Sequence, residues 1–367
     1  VSRLIKILAL AITGFGIVAV LCVGVIIVVG GDSISETLRT EWLRFQVSRR
    51  DNDLNRPMSN NATPIRFRVE VGDTPGIIAQ RLALNNLISD ADLFVDYVRI
   101  TNLDTQLEAG VYFLNQTQTI PDIAVALTDS ASSVIPFRIL EGWRLEEVAQ
   151  AIDQSNFFDF TGADFLAVTR AGANFDADFA AQIGLPPGVS LEGFMYPDTY
   201  QLPAEVTPVM LRDILLETFR EKVGTQLIAD AAAQGLTMYE VVTLASIIER
   251  EAVHNDEHPL IASVYRNRLA NGLKLDADPT VQYAIGFKDN TWWPQITVED
   301  YSNVISAYNT YLNTDLPPGP IANPGIDAIR AAVYPAESPY IYFRAMCDGS
   351  GYHNFAITFD EHLANGC

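Results

Sequence analysis

Apolar and polar positions divide the chain into segments of different character. From Ile7 to Val29 no residue is charged, and no polar face breaks the run of Ala, Val, Ile, Leu and Gly. Those 23 residues exceed the ~20 that carry a helix across a bilayer. They also exceed the ~7–15-residue apolar core of a signal peptide, and Val28-Val29-Gly30-Gly31-Asp32 offers no A-x-A-like cleavage site. The pattern predicts one uncleaved transmembrane helix. Arg3 and Lys6 precede it, while Asp32, Glu36 and Glu41 mix with Arg39 and Arg44 after it. By the positive-inside rule the N-terminus is cytoplasmic, which predicts a single-pass protein of the cell (cytoplasmic) membrane with everything from about Asp32 outside the cytoplasm.

Residues 32–50 read as a continuing helix, and Asp51 to Pro64 as a polar, Asn-rich linker. "IRFRVEVGD" alternates like a half-buried strand, and the Thr-Pro of "TPGIIAQRLALNNLI" marks a helix start. A weak repeat follows: "VIPFRIL" leads into Gly142 to Ile152, which shares Gly, Ala-Gln and a final aliphatic with Gly72 to Leu82 at equal spacing. Two strand–turn–helix units are expected. The opening Val69-Glu70-Val71-Gly72-Asp73-Thr74 resembles a LysM-type carbohydrate-binding module, which implies a small α+β module there. Beyond it, Phe157 to about Asp178 reads as helical, and "SLEGFMYPDTYQLP" (190–203) as a loop crowded with aromatics. Helices are expected at 207–222, 224–234, 238–253 and 259–271, then short elements between turns such as "LPPGPIANPG". The fold class is α+β: an anchor (1–31), a juxtamembrane segment and linker (32–64), the LysM-like module (65–135), an intermediate α+β region (136–235) and a mixed α+β region (236–367).

One helix carries an unusual pattern. Thr237-x-x-Glu240 is a capping box that starts it, and "VVTLASIIEREA" follows. At ~100° per residue, Val241, Val242, Leu244, Ala245, Ile247, Ile248 and Ala252 fill a broad apolar arc, with Thr243, Ser246 and Arg250 opposite, on what reads as the solvated side. Glu249 and Glu251 both fall inside the arc. Apolar surroundings disfavour the charged carboxylate and raise its pKa toward the range of a general acid. The alternative is that either glutamate sits at the arc's edge and pairs with Arg266 or Arg268. The pattern does not choose between the two glutamates.

Composition narrows the partners. A chain of 367 residues with 49% hydrophobic content can bury the cores of two or three domains. Its formal charge of −21, from 45 acidic against 24 basic residues, argues against nucleic acid, whose phosphates need a basic face. Cys22 lies in the apolar run; Cys347 and Cys367 are compatible with a disulfide in an oxidising compartment and equally with free thiols.

The segments "ASIIEREA" (245–252), "VYRNRLANGLKLDADPTVQYA" (264–284), "SAYNTYLNTDLPPGPIANPGIDAIRAAVYPAESPYIYF" (306–343) and "LEGFMYPDTY" (191–200) together resemble the endolytic murein transglycosylases of the MltG (YceG-like) family, from about residue 65 to the end. The resemblance makes the second glutamate of E-[KR]-E, Glu251, the catalytic acid and leaves Glu249 a supporting role beside it. It makes 236–367 the catalytic region and implies cleavage of the MurNAc–GlcNAc β-1,4 bond within a glycan strand. The muramyl 6-hydroxyl is then the nucleophile, so one carboxyl suffices where ordinary glycosidases use two, and no metal or organic cofactor is called for. Residues suited to hold sugar rings, hydroxyls and N-acetyl groups are Glu192, Tyr196, Asp198, Tyr200, Asp278, Thr280, Gln282, Tyr308, Asn309, Tyr311 and His353. Around His353 the chain reads Gly351-Tyr352-His353-Asn354-Phe355, where the family has Gly-Gly-His-x-Phe. The implied partners are peptidoglycan strands, the membrane through one helix, and the peptidoglycan synthases (penicillin-binding proteins).

Four other readings compete. His254-Asn255-Asp256-Glu257-His258 matches an inverted zinc-peptidase pattern, but Pro259 disfavours helical geometry at His258. Cys347 with His353 or His362 suggests a thiol peptidase, without a local mark of reactivity. A hydrolytic muramidase and a non-catalytic wall-binding scaffold complete the set.

Overall fold

Strand–turn–helix units recur in the computed structural model, which describes residues 31–367. The apolar run 7–29 lies outside the described residues. Among the described residues no single helix is long and apolar enough to cross a membrane. The chain divides between Ser133 and Val134 into two compact units.

In the first unit, β1 (Ile65–Val69) pairs antiparallel with β2 (Gly110–Leu114), Ile65 opposite Leu114 and Val69 opposite Gly110. The helix Gly31–Arg49 (α1) precedes β1, and α2 (Pro75–Leu84) and α3 (Ala91–Ile100) lie between the strands, giving the order β–α–α–β. Thr74 caps α2 by accepting from Ile77 N, with Pro75 in the first turn, where the missing N–H costs nothing. Asp90 caps α3 through Leu93 N and binds Arg50 at 2.8 Å. Phe67, Ile78, Leu82, Phe94, Val98, Tyr112 and Leu114 form the core, completed by α4 (Ile120–Ala126). Val47 and Leu54 are buried in it too. The start of the stretch read as a linker is therefore docked, because Asp51–Leu54 forms a short helix whose leucine packs inward.

The second unit starts with β3 (Val134–Arg138), antiparallel to β4 (Thr199–Pro203). Both strands alternate in burial, so Ile135, Phe137, Tyr200 and Leu202 face inward. After β3 the chain turns at Gly142 (φ +77°) into α5 (Leu145–Gln154), the second strand–turn–helix unit, and α6 (Gly162–Thr169) follows. The helix α7 (Pro208–Ala233) is broken at Gly224 (φ 70°), matching the two helices expected there.

The central element is α8 (Met238–Glu251), which packs against α7, α9 (His258–Ala270), α10 (Asp278–Ile285) and α11 (Ile326–Val333). Its capping box is closed: Thr237 N donates to Glu240 Oε2 at 2.8 Å and Thr237 Oγ1 accepts from Glu240 N. The expected solvated side does not exist. Thr243 and Ser246 are 2% and 0% exposed, and the Pro-rich loop before α11 closes on Ser246, whose Oγ accepts from Ile321 N at 3.0 Å. Their hydroxyls donate to carbonyls of the preceding turn, so small polar residues are buried there without loss of hydrogen bonding. Asn323, wholly buried, fastens this loop: it accepts from Met195 N and donates to Trp143 O. Gly193 (φ +90°) allows the 190–196 loop to close on it, since a Cβ there would lie 2.5 Å from Pro320. The unit ends in an antiparallel pair, β5 (Tyr342–Ala345) and β6 (His353–Ala356), and α12 (Phe359–Ala364), tied by the disulfide Cys347–Cys367.

Candidate active site

Glu251 ends α8 where the buried run meets an open cleft of about 530 Å³. Its Oε1 accepts from the hydroxyl of Tyr265, on α9, at 2.7 Å. Tyr265 is itself 1% exposed and packs edge-on against Phe343, so the donor is fixed by the core. Burial raises the Glu251 pKa to about 7; the Tyr265 bond opposes this, the Asp278 charge adds to it, and Arg250 opposes it. The carboxyl is therefore partly protonated near neutrality, has Oε1 held by Tyr265 and lines the cleft, as a general acid needs.

Asp278, Tyr301, Tyr311 and His353 share the cleft with Glu251, together with Tyr342, Phe359 and His362. Tyr311 donates to Asp278 Oδ1 at 2.6 Å and stacks on Tyr301 with centroids 4.0 Å apart, which leaves aromatic surface along one wall. His353 is held from outside the lining by buried Glu257, which accepts from both His353 N and His353 Nδ1 at 2.9 Å and so fixes the imidazole. Neither arginine considered as a partner reaches the glutamates. Arg268 is bound to Asp276 and to Lys274 O and Ile341 O, and Arg266 reaches Gln234.

Glu249 has the same pKa, raised to about 7 by burial against a hydrogen bond from Gly325 N at 3.0 Å. Basicity does not separate the two glutamates; position does. Glu249 faces the loop before α11, where the Glu141 carboxyl also lies, so close to Gly325 that a Cβ there would be 2.0 Å from its oxygen. It is absent from the cleft lining, and its carboxyl holds the backbone that covers α8.

Of the residues marked for sugar contact, Tyr311, His353 and Asp278 stand with Glu251. The others do not line its cleft. Glu192 is 3% exposed and accepts from Leu145 N at the start of α5, with burial lifting its pKa far above the usual range. Tyr196 and Tyr200 are 5% and 7% exposed and joined by a Tyr200 hydroxyl to Tyr196 carbonyl bond; Asp198 pairs with Lys222 at 2.9 Å, the main cause of its lowered pKa. Thr280 and Asn309 are 0% exposed: the first bonds Ala277 O and Thr310, the second bonds Tyr301 O, Val304 O and Tyr311 N. Gln282 donates to Pro294 O, and Tyr308 packs on Tyr283. All eight make contacts within the fold outside the lining of the cleft. Their aromatic and amide side chains carry no mark in sequence that separates a packing role from a contact role.

Tyr265 and Tyr301 went unmarked, since only the packing of α9 and the 300–311 loop brings them to the acid. The competing motifs come apart. His254 stacks on Tyr352 and meets Ser350 O, while His258, 1% exposed, opens α9. Among the described residues no three His, Cys, Asp or Glu side chains gather as metal ligands. Cys347 is bonded to Cys367 and so is no thiol nucleophile.

Fold and site define an α+β protein built around one near-neutral carboxyl in an aromatic-walled cleft. The chain belongs to the YceG-like family, whose model matches residues 67–366. An endolytic murein transglycosylase of Bacillus subtilis is 30% identical over 83% of this chain and 84% of its own length. One from Streptococcus pneumoniae is 26% identical over 84% of this chain and 58% of its own length. The crystal structure of a yceG-like protein from Listeria monocytogenes, 29% identical, covers 82% of this chain and 98% of that one with a TM-score of 0.54.

Proposed function

We infer that this chain is an endolytic lytic transglycosylase of peptidoglycan with Glu251 as its acid. The observation that carries the reading is Glu251 itself: a carboxyl of pKa about 7, oriented by Tyr265 and open to the cleft. Protonated Glu251 donates to the glycosidic oxygen between MurNAc and GlcNAc as the bond to the anomeric carbon breaks. The resulting carboxylate takes the proton of the muramyl 6-hydroxyl, whose oxygen closes on the anomeric carbon. The products are a GlcNAc hydroxyl end and a 1,6-anhydro-MurNAc end; no water enters and Glu251 is reprotonated. The aromatic walls suit sugar rings.

The same reading gives the rest of the molecule its place. The run 7–29 anchors the chain in the cell membrane with the cleft outside, and the disulfide suits an oxidising compartment. The β–α–α–β unit serves as a LysM-like glycan-binding module. Action beside the peptidoglycan synthases on nascent strands follows from an anchor that keeps the cleft near the membrane. The test is digestion of purified glycan strands with mass spectrometry of the new ends. Anhydro ends that vanish in Glu251→Gln support the reading. Ends that have gained water favour a muramidase, and undiminished cutting by Glu251→Gln removes Glu251 from the chemistry.

A further inference from the structure

The residue beside Glu251 forms no ion pair among the described residues, although the charges of Glu147, Glu249 and Glu251 act on it from further off. Arg250 is turned ~100° from it about the α8 axis, and its guanidinium lies over the Trp293 ring at 3.9 Å, close to Gly142. Among the described residues it donates no hydrogen bond and forms no ion pair, and its Nε is buried without an acceptor. The chain holds 45 acidic residues against 24 basic ones, and the buried arginines Arg144, Arg212 and Arg268 each sit on a carboxylate. Nearby carboxyls are committed elsewhere. Glu147 accepts from Trp293 Nε1 and Arg144 N, Glu249 from Gly325 N, and Glu251 from Tyr265.

Burial disfavours the Arg250 cation, the charges of Glu147, Glu249 and Glu251 oppose this without contacting it, and a guanidinium presents a planar fork that fits a carboxylate with two parallel bonds. The Trp293 ring lies against that fork, 3.9 Å from its centre. This shelf adjoins the cleft: α10 carries Asp278 at the cleft and, five residues or roughly 7–8 Å further along its axis, Tyr283, over which Arg144 lies at 4.1 Å. Trp292 and Trp293 are half-buried and Phe287 is 51% exposed, so the shelf is open to a ligand.

We propose that Arg250, held over Trp293, binds a carboxylate borne by the muramyl units of the glycan and so distinguishes them from neutral GlcNAc units. The proposal rests on the peptidoglycan reading above. Two sources share this chemistry: the lactyl carboxylate of muramyl units without peptide, and a carboxylate of the peptide stem.

The test uses the full chain with Glu251→Gln to stop cleavage, and compares affinities by calorimetry for oligosaccharides of equal length. The probes are peptide-free muramyl oligomers, the same oligomers with the lactyl group converted to its methylamide, stem-bearing oligomers, and all-GlcNAc oligomers. With Arg250 present, a carboxylate-bearing probe binds roughly tenfold to hundredfold tighter than the methylamide. Adding Arg250→Gln abolishes that preference, Arg250→Lys keeps part of it, and the charged probe that loses affinity identifies the source. Should Arg250→Gln fail to fold, rising salt must shrink the preference in the Arg250 protein. A preference that survives Arg250→Gln or is indifferent to salt, or equal binding of charged and neutral muramyl probes, overturns the proposal while leaving cleavage intact. Absence of binding to every probe, together with no cutting by the unaltered chain, overturns the peptidoglycan reading instead.

Discussion

Tyr265→Phe removes one oxygen, the donor that holds Glu251 Oε1 at 2.7 Å. The hydroxyl can donate to the carboxyl in either protonation state, but a bond to the ionised form is worth about 1.5–3 kcal/mol and one to the neutral form about 0.5–1.5. The difference, on the order of 1–1.5 kcal/mol, corresponds to about one pKa unit. Glu251, with a pKa of about 7, therefore rises to about 8 in the variant. Since the protonated form does the work, kcat/KM falls as pH increases through that pKa. The alkaline limb moves upward by about one unit, while the plateau rate drops because the carboxyl is no longer fixed. The assay is the initial rate of anhydro-end release from glycan strands between pH 5 and 9, with thermal unfolding alongside. A limb that stays in place or moves down in a folded Tyr265→Phe protein refutes the argument that this hydroxyl tunes the acid.

The Glu251 carboxyl also ties stability to pH: its pKa of about 7 stands above the ordinary 4.5, so the folded state binds the proton more tightly and the stabilisation present below 4.5 is lost as pH rises through 7. Glu251→Gln escapes this loss, and its stability relative to the parent should grow by roughly 3 kcal/mol between acid and pH 8; denaturant unfolding that shows no pH-dependent gap contradicts it. Glu249→Gln keeps an acceptor for Gly325 N and should cut glycan near the parent rate, whereas Glu249→Ala leaves that buried donor unpaired and costs about 1–3 kcal/mol of stability. Equal activity loss in both variants would give Glu249 a chemical role. Replacing Cys347 and Cys367 by Ser opens a link between residues 20 apart, worth about 3 kcal/mol in the chain-entropy account. Because α12 brings Phe359 and His362 to the cleft, KM should rise more than kcat falls, and identical kinetics would place the tail outside substrate binding.

How much was legible depended on whether the signal was local. Thr74-Pro75 and the Thr237/Glu240 box announce helix starts because caps are satisfied within one turn. Alternation in β3 reports burial because a strand's faces alternate by residue. Helical periodicity failed on the polar side of α8, because two buried hydroxyls can bond within their own helix and look, in sequence, like a solvated face. The aromatic 190–203 loop read as a sugar surface, yet Tyr196 and Tyr200 spend their rings on the core.

By itself the sequence determined that two glutamates at a helix end would interrupt an apolar arc, which left a carboxyl of raised pKa and an edge glutamate paired with Arg266 or Arg268 as the two readings. It also carried the motifs that resemble the family. Only the tertiary structure decided which glutamate opens to a cleft and which holds a loop, because both share one helix, one arc and one pKa. The difference lies in what other segments bring to them. Tyr265 and the 300–311 loop surround Glu251, and Gly325 caps Glu249. Arg250 belongs to the same category: its lack of an ion pair among the described residues follows from where Glu147, Glu249 and Glu251 are each drawn by groups distant in the chain.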